Sequence, residues 1–247
     1  MSQRSRPLGA KVPFTAVSYN LHQCIGTDKQ CDPQRVAEVI RETRADVVGL
    51  QEVDFNPSGE KQSHQLDYLA EITGMQAIAG PTIWRTDAEF GNGLLTRRQI
   101  EKVRLHDVSV NRRQPRGVID VELSCEGKTI RVLVTHLGLA LNERRRQAQS
   151  LLRILRDGDG PCDFTVLLGD INEWRPRGFA TYRLDTYLGK APSPRTFPSY
   201  FPVFALDRIW MTPKPSFLQI RAVNHDLARV ASDHLPVMAT ADLAASP

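Results

Sequence analysis

Short apolar runs alternate with polar clusters along the chain, and the period of the apolar positions changes from one segment to the next. Phe14, Val17 and Tyr19 among small residues predict a strand over Phe14–Asn20, ending in the polar cluster Asn20-Leu21-His22-Gln23. Asp32-Pro33 then opens a helix with proline in its first turn, and Val36, Val39 and Ile40 recur at helical spacing. Asp46–Glu52 predicts a short apolar strand whose far end carries an acid, and Ser63–Thr73 a second helix stopped by Gly74. From Gln76 to His136 the pattern becomes short alternating segments: Gln76–Ala79, Gly93–Thr96, Lys102–Val110, Val118–Ser124 and Thr129–His136. Turn residues such as Glu126-Gly127 separate them, which predicts an antiparallel meander. Asn142–Arg156 reads as a helix with an Asn cap and with Ala148, Leu151, Leu152 and Leu155 on one face. A buried strand over Phe164–Gly169 runs into Asp170, and further strands are expected at Val203–Met211, Phe217–Ala222 and Pro236–Ala241.

Strand after strand finishes on a polar residue that gains nothing from burial: Asn20, Glu52, His136, Asp170 and, just beyond, Asn172. If the strands lie side by side, these ends meet along one edge, where open sheets commonly hold their ligands.

Composition adds bounds rather than direction. With 247 residues, 41% hydrophobic and 24% charged, the chain can bury a substantial core, and disordered or fibrous classes are excluded. A polar arm over residues 1–13 and a single domain over 14–247 are expected. The net charge of +4 leans weakly toward an anionic partner. The four cysteines have no zinc-knuckle spacing, and a disulfide framework is not expected at this length. No apolar run follows the basic N-terminus and none is long enough to span a bilayer, so a cytoplasmic protein is expected.

The candidate chemistry sits at the strand ends. In Leu167-Leu168-Gly169-Asp170-Ile171-Asn172 a glycine precedes an acid and an amide one residue apart. Asp170 can take a proton from water, and Asn172 can donate to a phosphoryl oxygen; the same residues also suit a plain Asx-turn. In Ser232-Asp233-His234 the imidazole can hold a phosphoryl oxygen, with Asp233 orienting it or binding a metal. Asp207 lies in the otherwise apolar Leu206–Trp210, and a buried carboxylate needs a partner such as a histidine or Arg208. Glu52 suits a hard cation, which takes few protein carboxylates, and Asn20 can complete its shell. His136 stands alone, and nothing has the His/Cys spacing of a zinc site.

Taken in order, Asn20, Gln51-Glu52, Thr135-His136, Gly169–Asn172, Leu206–Ile209 and Ser232–His234 resemble the successive motifs of the endonuclease/exonuclease/phosphatase superfamily. That group includes deoxyribonuclease I, exonuclease III, neutral sphingomyelinases and inositol polyphosphate 5-phosphatases. Gly91–Thr96 and Arg116-Gly117 resemble its internal strand motifs. The resemblance implies an α/β fold, a four-layered sandwich of two mainly antiparallel β-sheets flanked by helices. It also implies roles: Glu52 and Asn20 at Mg2+ or Mn2+, one or two ions, with Asp233 supporting the metal or the histidine. Asp170 would activate water and Asn172 hold the phosphoryl group. His234, oriented by Asp207, would stabilise developing charge, with His136 on another oxygen and Asn92 and Arg116 binding phosphate.

The substrate is less constrained. Glu143–Arg146 reads as a solvated helix face, whereas Arg97-Arg98 and Asn111–Arg116 are expected near the rim of the site. Arg195–Pro198 and Tyr200–Pro202 resemble a compact bacterial branch of the superfamily, and the Phe/Tyr cluster is expected to pack beneath its loop. A small or phospholipid-derived phosphodiester is expected, with nucleic acid as the alternative and a non-catalytic phosphate-binding module as the reading from another class.

Overall fold

The computed structural model describes residues 12–55, 64–84, 89–158 and 160–243. Its elements in chain order are β1 (Pro13–Asn20), α1 (Pro33–Thr43), β2 (Val47–Asp54), α2 (Gln65–Thr73), β3 (Gln76–Trp84) and β4 (Glu89–Thr96). There follow β5 (Gln99–Asp107), β6 (Gly117–Cys125), β7 (Lys128–His136), α3 (Leu141–Arg156), β8 (Phe164–Asp170) and α4 (Phe179–Leu188). The last are β9 (Asp207–Thr212), β10 (Phe217–Ala222), α5 (Asp226–Ala231) and β11 (Val237–Asp242).

The strands form a six-stranded sheet, β10-β11-β1-β2-β4-β3, and a five-stranded sheet, β5-β6-β7-β8-β9. Alternation explains how they pack. One face of each sheet supplies the layer between them: Phe14, Ala16 and Leu94 from the first against Val121, Val132, Val134 and Leu168 from the second. The other face of the first sheet is covered by α1, α2 and α5, with Val36, Val39, Ile40 and Leu69 against Val48 and Leu50. The other face of the second is covered by α3 and α4, with Ala148, Leu151 and Leu152 against Leu133 and Leu167. The result is the helix–sheet–sheet–helix sandwich.

The sequence reading differs from this in several places. The expected meander is divided: β3 and β4 belong to the first sheet and β5 to β7 to the second. The crossing takes only Arg97 and Arg98, held by Arg97 N–H to Asp46 O at 2.9 Å and Arg98 Nε to Asp46 Oδ1 at 3.0 Å. Asp46 precedes β2, so these arginines lie at the end of the sheet remote from Glu52, not at the rim of the site. Helix α3 begins at Leu141, and Asn142 is not its cap; the Glu143 carboxylate instead accepts the Ala140 N–H at 3.4 Å. The strand expected from Val203 starts only at Asp207, because Phe197 and Phe204 pair in an isolated bridge. Helices α4 and α5 were not anticipated, although Ala180, Leu184 and Leu188 recur at helical spacing in α4. Residues 1–11 of the expected arm and the Ser63 helix start lie outside the described residues, whereas Val12 is buried and Pro13 already begins β1. The four cysteines are free, and no helix among the described residues is long and apolar enough to cross a membrane.

Candidate active site

Strand direction assembles the site. β1 and β2 run parallel, as do β7 and β8, so Asn20, Glu52, His136 and Asp170 stand at the same ends. β11, β6 and β9 are antiparallel to their neighbours, which brings the entries to those strands, His234, Arg116 and Asp207, to the same edge.

Two backbone departures aim the carboxylates. The register of β2 against β4 shifts between Leu50 and Val53, and Glu52 within that bulge has a φ of 56°, in the left-handed region. Gly169 has a φ of 153°, and a Cβ there would lie 1.9 Å from Thr135 O. Glycine alone therefore lets β8 close on β7 one residue before Asp170.

Asn20 links the two acids: its amide donates to Glu52 Oε1 at 3.2 Å and to Asp170 Oδ2 at 3.1 Å. Its own oxygen accepts the His22 N–H at 3.0 Å. The other Asp170 oxygen accepts the Asn172 N–H at 2.8 Å. The Asn172 side-chain amide donates to Leu137 O at 2.9 Å and faces His136 Nε2 at 3.0 Å. That nitrogen must then be an acceptor, which fits a neutral ring: burial, with the nearby charges of Arg116 and His234, drives His136 well below the ordinary histidine range. His136 Nε2 lies 3.6 Å from Asp170 Oδ2 and 4.0 Å from Glu52 Oε1.

His234 is in the opposite charge state. Burial would lower its pKa, but the Asp207 carboxylate, through charge and a 2.8 Å contact to Nδ1, outweighs burial and raises it to about 10. The same Asp207 oxygen accepts the Thr196 hydroxyl at 2.5 Å. His234 Nε2 is 3.9 Å from Asp170 Oδ2. Asp170 is pushed up to about 7 by burial first and the Asp207 charge second, against His234 and the bonds from Asn172 and Asn20. One acid and one imidazole in contact range are thus both raised well above their ordinary values, a pattern that clusters at catalytic sites.

Asp170, Asp207 and His234 could offer ligand atoms within 4.8 Å of one another. The Asp207–His234 contact satisfies two of those groups already. Glu52, positioned by the Asn20 amide through Oε1, offers the carboxylate that suits a hard divalent cation, and the same amide holds Asp170 beside it.

The remaining expected residues lie as follows. Asp233 reaches His22 Nδ1 at 3.8 Å rather than joining Glu52. Its neighbour Ser232 makes the joint: Ser232 Oγ lies 2.8 Å from Asn20 O and accepts the His234 N–H at 3.3 Å. Asn92 is buried and donates to Gly117 O at 3.0 Å, tying β4 to β6 beside Arg116. Arg116 is 7% exposed, and its Nε has no partner among the described residues.

These groups open into a cleft of 340 Å³ whose walls include Phe197 of the expected Phe/Tyr cluster together with Gln23, Leu139 and Trp174, which the sequence singled out for no role at the site. The Phe197 ring packs 4.8 Å from that of His234, and Trp174 sets its edge against Phe197 and Phe204. Tyr200 and Phe201, expected beneath the loop, are instead 67% and 69% exposed, while Phe197 of the same cluster turns to the His234 ring. Arg144, expected on a solvated face, is buried: it bonds Gly138 O at 3.3 Å and also Leu139 O, and pairs with Glu173 at 3.4 Å.

Comparison with known proteins places the family and the fold. The model of the Endonuclease/Exonuclease/phosphatase family matches residues 17–234. The uncharacterized protein YbhP of Escherichia coli (strain K12) is 29% identical over 92% of this chain and 95% of its own length. The crystal structure of an endonuclease/exonuclease/phosphatase from Beutenbergia cavernae superposes with a TM-score of 0.76 at 20% identity, over 96% of this chain and 73% of that one. D. rerio TDP2 complexed with a single-strand DNA product gives a TM-score of 0.67 at 18% identity, over 92% and 98%.

Proposed function

This chain belongs to the Endonuclease/Exonuclease/phosphatase family and is a phosphoester hydrolase, and on that premise we propose that it hydrolyses a small or phospholipid-derived phosphodiester with a divalent cation. The observation that carries the reading is the pairing of Asp170, raised to about 7, with an imidazolium at His234, raised to about 10, across one buried 3.9 Å gap. Asp170 accepts the proton of the attacking water, and the protonated Nε2 of His234 faces an oxygen that gains charge as phosphorus is attacked. Asp207 keeps that imidazole charged and fixes its ring. Asn172 gives an N–H to the phosphoryl group by exchanging its bond to His136. Neutral His136 and buried Arg116 line the path of the other phosphoryl oxygens. Glu52 and Asn20 would hold Mg2+ or Mn2+, which supplies charge neutralisation and orients the phosphate. Asp233 acts from the rim through His22 and Ser232.

Hydrolysis of bis-(p-nitrophenyl) phosphate with Mg2+ or Mn2+, with and without EDTA, tests the reading. Turnover that EDTA leaves intact would contradict the metal; turnover intact in Asp170→Ala would contradict the base. The single-strand DNA product bound to D. rerio TDP2 favours a second reading, a nuclease. Incubation with plasmid, single-stranded DNA and RNA separates them: cleavage of polymers supports the nuclease, and intact polymers beside active small-diester hydrolysis support the first reading.

A further inference from the structure

A second cavity of 570 Å³ adjoins the catalytic cleft and shares Arg116 with it as a wall. Resting on the phosphodiesterase reading above, we infer that this groove seats the second substituent of the diester and selects a polar group that carries no negative charge. Arg116 stands on the wall between the two spaces. It is 7% exposed with a partnerless Nε, so it borders both spaces as a cation with unused hydrogen-bonding capacity. A phosphate held there has one side on the catalytic groups and the other on the groove. A monoester would leave the groove empty.

The two flanks differ in chemistry. Beyond the catalytic groups the cleft is walled by Leu139, Trp174 and Phe197, which are apolar. Thr82, His106, Asp107 and Ser109 share the groove wall with Leu105, two prolines and the glycines of β3 and β6, so the anion at Asp107, not overall polarity, sets the groove apart. Asp107 decides its preference. Its carboxylate accepts the Ser109 N–H at 2.8 Å, and the Ser109 bonds hold it below the usual carboxylate range, so it is ionised at neutral pH. Ser109 Oγ in turn accepts the Arg116 N–H at 3.0 Å, which fixes the spacing between the groove's anion and the cation at the phosphate. His106 turns its Nε2 to the buried Asp120 at 3.1 Å, and Arg131 also pairs with that acid, so His106 does not neutralise Asp107. Arg112 and Arg113 are exposed on the same connection and do not line the groove. Hydroxyls or an ammonium group would be favoured beside Asp107. A second phosphate, as in the next link of a polynucleotide, would be repelled.

The test is a matched pair, thymidine 5′-(p-nitrophenyl phosphate) with and without a 3′-phosphate. Affinities are read by titration calorimetry on the Asp170→Asn background, and kcat/KM on the otherwise native chain. The compound without the second phosphate should be preferred by about two- to fivefold, the scale of one exposed charge pair. Asp107→Asn, which keeps an acceptor for Ser109, should erase the preference, and Asp107→Lys should invert it. Both variants should keep the far-UV circular dichroism spectrum of the native chain and unfold cooperatively in urea, which shows that they fold. A preference unaltered by Asp107→Lys, a preference for the 3′-phosphate in the native chain, or binding of neither compound would overturn the inference. Binding ratios as expected with no turnover by the native chain would count against the phosphodiesterase reading and leave the groove's selectivity standing.

Discussion

His234 Nδ1 and Asp207 Oδ2 lie 2.8 Å apart with both side chains buried, and this contact outweighs a burial that would otherwise leave the imidazole neutral. A charged His234 is the species that can meet developing negative charge, so activity needs it protonated and should fall as pH rises through about 10. Asp207→Asn keeps the shape and removes the charge. The alkaline limb should then drop toward the ordinary histidine value, roughly 6.5. kcat at pH 8 should fall by about 10²- to 10⁴-fold, the usual share of a positioned acid. A pH–rate profile of the two proteins, with imidazole titration by NMR, checks this.

Asp170 gives a prediction in stability. Its pKa is about 7 in the folded chain against 3.8 for a free aspartate. A raised carboxyl favours the folded state only while protonated. Relative stability is therefore full below about 4 and is lost as pH rises through 7. Asp170→Asn has no such dependence. In EDTA, urea melts at pH 4.5 and pH 8 should show the variant gaining on the native chain at the higher pH. An equal difference at both would mean that burial does not hold the carboxyl above its ordinary range.

Asn20 binds the two acids through one amide, and its loss should release both. Asn20→Ala should weaken Mg2+ activation by about 10- to 100-fold, the usual effect of removing a group that orients metal ligands. Glu52→Gln should weaken it further. Titration of activity against Mg2+ measures both; unchanged half-saturation would place the cation elsewhere.

Arg144 reaches the site from behind. It ties the Leu137–Ala140 loop to Glu173, next to Asn172, and both Arg144 Nε and Glu173 Oε2 lack partners among the described residues. Removing one member of such a pair strands the other, so Arg144→Ala should destabilise by about 3–5 kcal/mol. Arg144→Lys should recover much of the stability while kcat stays low, since a point charge cannot reach Gly138 O, Leu139 O and Glu173 together. Full recovery of kcat would limit Arg144 to a structural role.

The sheets were readable because period-two alternation and glycine turns are local signals, and most strands fall where the pattern puts them. Their allocation to two sheets was not, since a two-residue crossing at Arg97-Arg98 looks like any other turn. The polar strand ends Asn20, Glu52, His136 and Asp170 could be picked out because nothing in an apolar strand explains them. What tunes them was hidden: Thr196, Ser232 and Trp174 act through contacts distant in sequence, and a threonine or serine in a loop carries no signal of its own. Arg144 was misread for a related reason, because three consecutive arginines look solvated when only the helix phase decides which one is buried. The groove at Asp107 lies between the edges of two sheets, a neighbourhood that no local pattern encodes.

The account stands most directly on turnover of bis-(p-nitrophenyl) phosphate by the native chain and by Asp170→Asn, each with Mg2+ and with EDTA. Hydrolysis by the native chain with Mg2+, lost in EDTA and reduced by about 10²- to 10⁴-fold in Asp170→Asn, is the predicted result. Metal-dependent turnover at native rate in Asp170→Asn would contradict it.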